Sequence, residues 1–274
     1  MQVRRSCYYS WRAKASYSLS AGKISQAARI KECFYVHRRR YGSRRIAAAL
    51  EIGRHQVRSV MKREDLKAIA PKRFVPRTTD SKHGLAVSPN LLRDAANAPL
   101  DKGEVFVGDI TYLRLRSGGF CYLACLQDKF TRRIVGWKVS ERMTAQLVID
   151  VFLQARRRGL IGKCAIIHSD QGSQYAAVEY RRLLYIGGFR QSMSRKGNCY
   201  DNAQAESFFS RFKAELVENG IFESVGQARS EVFGYIEGYY NRIRLHSSLG
   251  YKSPLEFEKQ LEIKTKRSRE SFVS

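Results

Sequence analysis

The chain has no cysteine pair at metal-clip spacing. Its six cysteines, Cys7, Cys33, Cys121, Cys125, Cys164 and Cys199, include no C-x-x-C. Cys33 with His37 finds no second pair at ligand spacing, which argues against structural zinc. Scattered thiols of this kind suit a reducing cytosol. No apolar run approaches a membrane span, and the N-terminus has no signal-peptide core. The reading is a cytoplasmic chain with no membrane partner. There is no heptad run and no internal repeat, which speaks against a zipper and a repeat architecture. Acid is scarce too: 25 Asp and Glu stand against 50 Lys and Arg, a net charge of +25 over 274 residues. Residues 1–100 hold 22 basic and 6 acidic side chains, +16 of that excess. A fold does not need such a field, but a phosphate backbone rewards it through counterion release. Charge alone leaves open a solvated basic surface or an RNA binder.

What is present divides the chain into segments. Residues 1–66 read as a basic, all-helical DNA-binding domain. Ser43 to Leu50 forms a short helix with Ile46, Ala49 and Leu50 on one face. Gly53 makes the turn, and Arg54 to Glu64 forms a second helix with Val57, Val60 and Met61 inward. This is helix-turn-helix patterning. Arg44, Arg45, Arg54 and Arg58 decorate it as expected DNA contacts, and a helical hairpin with a solvated face is the other reading. Residues 67–98, with Pro71, Pro76 and Pro89, read as a linker. Residues 99–262 alternate strands and helices: Glu104–Arg116, Phe120–Phe130 and Arg133–Ser140 as hairpin-linked strands, Thr144–Arg157 as helix, Cys164–Ser169 as strand, Tyr175–Ile186 as helix, Phe189–Met193 as strand and Asp201–Val217 as helix. The expected fold is α/β, a mixed five-stranded sheet flanked by helices. Residues 263–274 read as a polar tail.

Three carboxylates stand out. Asp109 lies in the strand V-F-V-G-D-I-T-Y, where an ionised group is costly unless a cation balances it; a backbone-bonded Asp is the plain alternative. Asp170 ends a short apolar strand, where ligand sites open in such sheets; capping the next turn explains it equally well. Glu206 follows thirty-five residues later. At 100° per residue, Ala205, Phe208, Phe209, Phe212 and Leu216 form the buried stripe, with Glu206 and Lys213 together at its border. An ordinary Glu–Lys surface face has the same pattern. Asp201 reads as a helix N-cap and Asp128 as a partner of Arg132 or Arg133. The basic loop Ser194-Arg195-Lys196-Gly197-Asn198 is expected to touch DNA through Arg195 and Lys196. Arg242, Arg244 and His246 suit phosphate binding or support of the C-terminal turn. Trp11 and Trp137 are expected in the core.

Ordered strings along the chain carry a resemblance: C-Y-Y-S-W-R, Y-G-S-R-R-I, S-P-N-L-L-R, D-I-T-Y at 109–112, R-R-I-V-G-W at 132–137, H-S-D-Q-G-S-Q-Y at 168–175, S-M-S-R-K-G-N-C-Y-D-N at 192–202, E-S-F-F at 206–209 and Y-N-R-I-R-L-H-S-S-L-G-Y-K-S-P at 240–254. From about residue 5 to 260 the chain resembles the catalytic subunit of the integrase-like DDE transposases of bacterial insertion sequences. The resemblance implies an RNase H-like core. It implies Asp109, Asp170 and Glu206 as a catalytic, metal-binding triad for two Mg²⁺ ions, with Mn²⁺ able to substitute, and Lys213 as a DNA contact. It implies cleavage of an element's ends and joining of the 3′-OH to target DNA. The partners it implies are terminal-repeat and target DNA, further copies of the chain on DNA, and a small upstream-frame protein as fusion or partner, all at the bacterial nucleoid. The rival readings are a catalytically silent DNA-binding repressor and an RNase H-like nuclease acting on RNA–DNA hybrids.

Overall fold

The computed structural model describes residues 4–12, 19–71, 84–195, 202–216 and 221–270. Two compact units divide at Ile69 and Ala70. In the first, α1 spans Arg5–Arg12, α2 Ala21–Val36, α3 Ser43–Leu50 and α4 Arg54–Arg63. Ala27, Ile30, Cys33 and Phe34 of α2 close with Ile46, Val57 and Val60 into a small core, where each fully buried large side chain contributes roughly 1.5–3 kcal/mol. Ala49, expected inside, is exposed. The left-handed residue between α3 and α4 is Glu51, at φ 55°, while Gly53 caps α4. No residue of α1 is buried, so Trp11, expected in a core, stands 58 % exposed.

The second unit is built on a mixed sheet. Its strands are β1 Val105–Leu115, β2 Phe120–Asp128, β3 Ile134–Ser140, β4 Ile166–Ser169 and β5 Arg190–Met193, in the order β3-β2-β1-β4-β5. β1 to β3 pair antiparallel, and β4 and β5 join parallel. A sixth strand, the two-residue β6 Ile221–Phe222, adds to the far end of β1 and was not expected. The helices are α5 Ala145–Arg157, α6 Ser173–Ala176, α7 Val178–Ile186, α8 Ala203–Leu216, α9 Val225–Phe233 and α10 Pro254–Glu270. The helix expected over Tyr175–Ile186 is broken at Ala177, whose ψ of 140° is extended. The tail expected from residue 263 is helical as far as Glu270, the end of α10.

Strand alternation sorts the core into two layers. Phe106, Ala124 and Leu126 face α5 and α7, with Val148, Val151, Phe152 and Leu184. Leu113, Cys121, Leu123 and Cys125 face α8, with Phe208, Phe209 and Phe212. Cys121 and Cys125 thus share one face, as their even spacing predicts. α5 lies so close to β3 that a Cβ at Gly136 would overlap the carbonyl oxygen of Val151.

Candidate active site

The register of the sheet brings the first two carboxylates together. β1 and β4 pair Val105 with Ile166, Phe106 with Ile167 and Val107 with His168. Carried two residues on, that register sets Asp170 level with Asp109 on the neighbouring strand. Strands lie about 4.8 Å apart. Asp109 pairs with Cys125 across β2 and lies on the α8 face, in line with Leu113. Its Oδ1 accepts the Ile110 N–H at 2.8 Å. Asp170 Oδ1 accepts the Gly172 N–H at 3.0 Å, and a Cβ at Gly172 would crowd that oxygen at 3.0 Å.

Glu206 is exposed on the first turns of α8, and Lys213 lies half-buried two turns further along. Burial pushes Asp109 well above the usual carboxylate range. Asp170 and Glu206 raise it further, against the Ile110 amide and Lys213. Partial burial and the charge of Asp170 raise Glu206. Burial and Arg114 lower Lys213, while Asp109 acts the other way. The thiol of Cys125 and the phenol of Tyr175 are raised by burial and by Asp109, and Tyr175 also feels Asp170. Asp109, Asp170, Glu206 and Lys213 therefore share one electrostatic site. Among the described residues, no group of three or more His, Cys, Asp and Glu side chains is arranged to hold a metal ion.

The other expected residues fall elsewhere. Arg44, Arg54 and Arg58 are exposed on α3 and α4. Arg45 turns inward: its Nη1 donates to the Arg40 carbonyl at 3.2 Å, and its guanidinium lies 5.7 Å from the Tyr41 ring centre. Arg195 is exposed, and Lys196 and Asp201 lie outside the described residues. Asp128 is buried and accepts the N–H groups of Gly103, Phe130 and Thr131 at 2.7, 2.8 and 2.8 Å. It anchors a turn rather than an arginine, and Arg133 pairs with Glu258 at 2.7 Å. Trp137 is buried, and its Nε1 donates to Glu237 at 3.0 Å.

Sequence reasoning missed one charged residue of α8. Glu215 is buried and takes Arg244 Nη2 at 2.6 Å, Arg244 Nε at 2.9 Å and the Tyr235 hydroxyl at 2.8 Å. The signal was available: seven residues after Phe208, Glu215 lies within about 20° of it around the helix. Arg244 supports the C-terminal segment, one of the two roles its position allowed.

Integrase core domain models match residues 100–199 and 187–254, and an HTH-like domain model matches residues 23–74. The class is an integrase-core protein with a helix-turn-helix-like N-terminal unit. The transposase for insertion sequence element IS904 of Lactococcus lactis subsp. lactis is 41% identical over 237 residues, 84% of this chain and 92% of its own. Transposase InsF for insertion sequence IS3A of Escherichia coli K12 is 37% identical over 267 residues, 94% of this chain and 91% of its own. The chain belongs to the insertion-sequence transposases with an integrase core. Among solved structures, the simian T-cell lymphotropic virus intasome in complex with PP2A regulatory subunit B56 gamma gives a TM-score of 0.49 at 13% identity, covering 84% of this chain and 73% of that chain. No helix among the described residues is long and apolar enough to cross a membrane.

Proposed function

We propose that Asp109, Asp170 and Glu206 form the catalytic centre of a DNA strand-transfer enzyme and hold two divalent ions, Mg²⁺ or Mn²⁺. The level placement of Asp109 and Asp170 on neighbouring strands, beside α8 with Glu206, carries this reading. The donor chemistry fits: all three groups are carboxylates, and oxygen is what Mg²⁺ takes. The electrostatics also fit, because Asp170 and Glu206 raise the proton affinity of Asp109, Asp170 raises that of Glu206, and a cation relieves both. When bound, the two ions supply Lewis-acid stabilisation of the attacking and leaving oxygens.

Two phosphodiester exchanges follow. Water adds to the phosphorus at the element's end, the bond to the 3′ oxygen breaks, and a free 3′-OH remains. That hydroxyl then adds to a target phosphorus and displaces a 3′ oxygen of the target strand. The chain's own residues position these groups. Lys213, close enough to Asp109 to feel its charge, draws a phosphate to the carboxylates. Arg195 and Lys196 contact the same DNA. In the N-terminal unit, Arg44, Arg54 and Arg58 contact the terminal repeat, with Arg45 steadying Tyr41 beside them. Two ends must be handled together, so further copies of the chain assemble on DNA, and a small upstream-frame protein joins as fusion or partner, at the nucleoid.

Strand transfer of a labelled oligonucleotide carrying the element's terminal sequence tests this. Asp109→Asn, Asp170→Asn and Glu206→Gln should each lower joining by at least about a thousandfold while the DNA is still bound. Wild-type joining by all three variants would overturn the assignment. A parent chain that binds the ends and joins none would be the silent repressor instead.

A further inference from the structure

Asn202 stands immediately before α8 and is only 5 % exposed. Its Oδ1 is buried and accepts no hydrogen bond. Stranding an amide oxygen in this way is costly, and such a group in a fold calls for an explanation. The other buried side-chain amides among the described residues are answered at both ends. Gln127 Nε2 donates to the Tyr240 hydroxyl at 2.8 Å, while its Oε1 accepts from Gln204 at 3.1 Å. Asn241 accepts the Ile134 N–H and donates to the Ile134 carbonyl, both at 3.0 Å.

Helix geometry says which side of α8 carries this oxygen. At 100° per residue, Asn202 falls within about 40° of Glu206 and about 20° of Lys213, but about 160° from Gln204. Gln204 Nε2 donates to Gln127 Oε1 at 3.1 Å and reaches the Asp128 carbonyl at 3.4 Å, so its side of the helix lies over β2. The other side turns toward β1 and β4, where Lys213 feels Asp109 and Glu206 feels Asp170. Asn202 is on that side, one turn before Glu206, a spacing that sets two Cβ atoms about 5–6 Å apart. An unanswered acceptor needs a donor. A phosphodiester offers none, whereas Mg²⁺ keeps several of its waters when carboxylates bind it, and those waters donate.

We propose that Asn202 is a positioning residue of the cation site: its Oδ1 accepts a hydrogen bond from the hydration shell of the divalent ion at Glu206 and fixes that ion's place along α8. The proposal rests on the reading of Asp109, Asp170 and Glu206 as cation ligands. It adds a neutral oxygen that none of the three carboxylates supplies.

Calorimetric titration of Mn²⁺ into the full chain, bound to DNA carrying the element's terminal sequence, tests this, with the Tm of each protein measured in EDTA. Asn202→Leu removes the stranded oxygen at similar volume, so it should melt no lower than the parent and bind the DNA as tightly. Its Mn²⁺ affinity should fall about 10–100-fold. Asn202→Asp keeps an oxygen at the same place and should hold Mn²⁺ at least as tightly as the parent. Two results would overturn the role of Asn202 alone. One is parental Mn²⁺ affinity in Asn202→Leu. The other is a lower Tm in both variants with that affinity unchanged, which would make Asn202 a structural residue of the helix start. A parent chain that takes up no Mn²⁺ would instead sink the carboxylate reading itself, and the role of Asn202 with it.

Discussion

Helix α8 carries two acidic sites of opposite character. On its inward side, Glu215 is buried and fully answered by the fork of Arg244 and the Tyr235 hydroxyl. That contact holds Arg244 in its charged form. On its outward side, Glu206 is raised by Asp170, and Lys213, two turns along the helix, is itself lowered by burial. A few turns away the same helix brings Glu206 close enough to two strand carboxylates for Asp170 to raise it and for both to raise Asp109. Completed pairs serve the fold, and like charges gathered so that they perturb one another are the mark of a candidate functional site.

The comparison breaks most visibly at the inward site. Arg244→Met should destabilise the chain by about 3–5 kcal/mol in urea unfolding, because it strands a buried carboxylate. Glu215→Leu combined with Arg244→Met should cost less than Arg244→Met alone. If Arg244→Met left stability unchanged, the inward site would be no better answered than the outward one.

The outward site should respond with the opposite sign. A carboxyl raised in the folded state favours folding below its ordinary range, and that contribution fades as pH rises through the raised value. Without divalent metal at neutral to mildly alkaline pH, Asp109→Asn should therefore melt higher than the parent, by about 2–4 °C for a gain near 1 kcal/mol. Mg²⁺ should then raise the Tm of the parent and not that of the variant. A variant that melts lower across the whole pH range would show Asp109 to be a structural carboxylate like Asp128.

Much of this was legible in the sequence, because period and punctuation are local. The apolar run of β1 placed Asp109 within an interior strand, and the phenylalanine spacing of α8 placed Glu206 at the border of the buried stripe. Their level meeting with Asp170 depends on strand register, which one strand's sequence does not contain. The elements missed all follow α8: two-residue β6, α9, the π-helical turns Gly234–Tyr240 and α10, of which β6 and the π-helical turns have no readable period. Glu215 was missed because a charged residue was taken to mark the solvent side. Its partner Arg244 lies twenty-nine residues further along the chain. Asp128 was given an arginine because two stand nearby in sequence, whereas the turn offers it three amides. Trp11 was assigned to the core on residue type alone, and α1 buries nothing.

The most direct measurement is calorimetric titration of Mn²⁺ into the chain bound to its terminal DNA. The parent should bind two ions, and Asp109→Asn, Asp170→Asn and Glu206→Gln should each lose at least one while still holding the DNA. Equal stoichiometry and affinity in all four proteins would contradict the account.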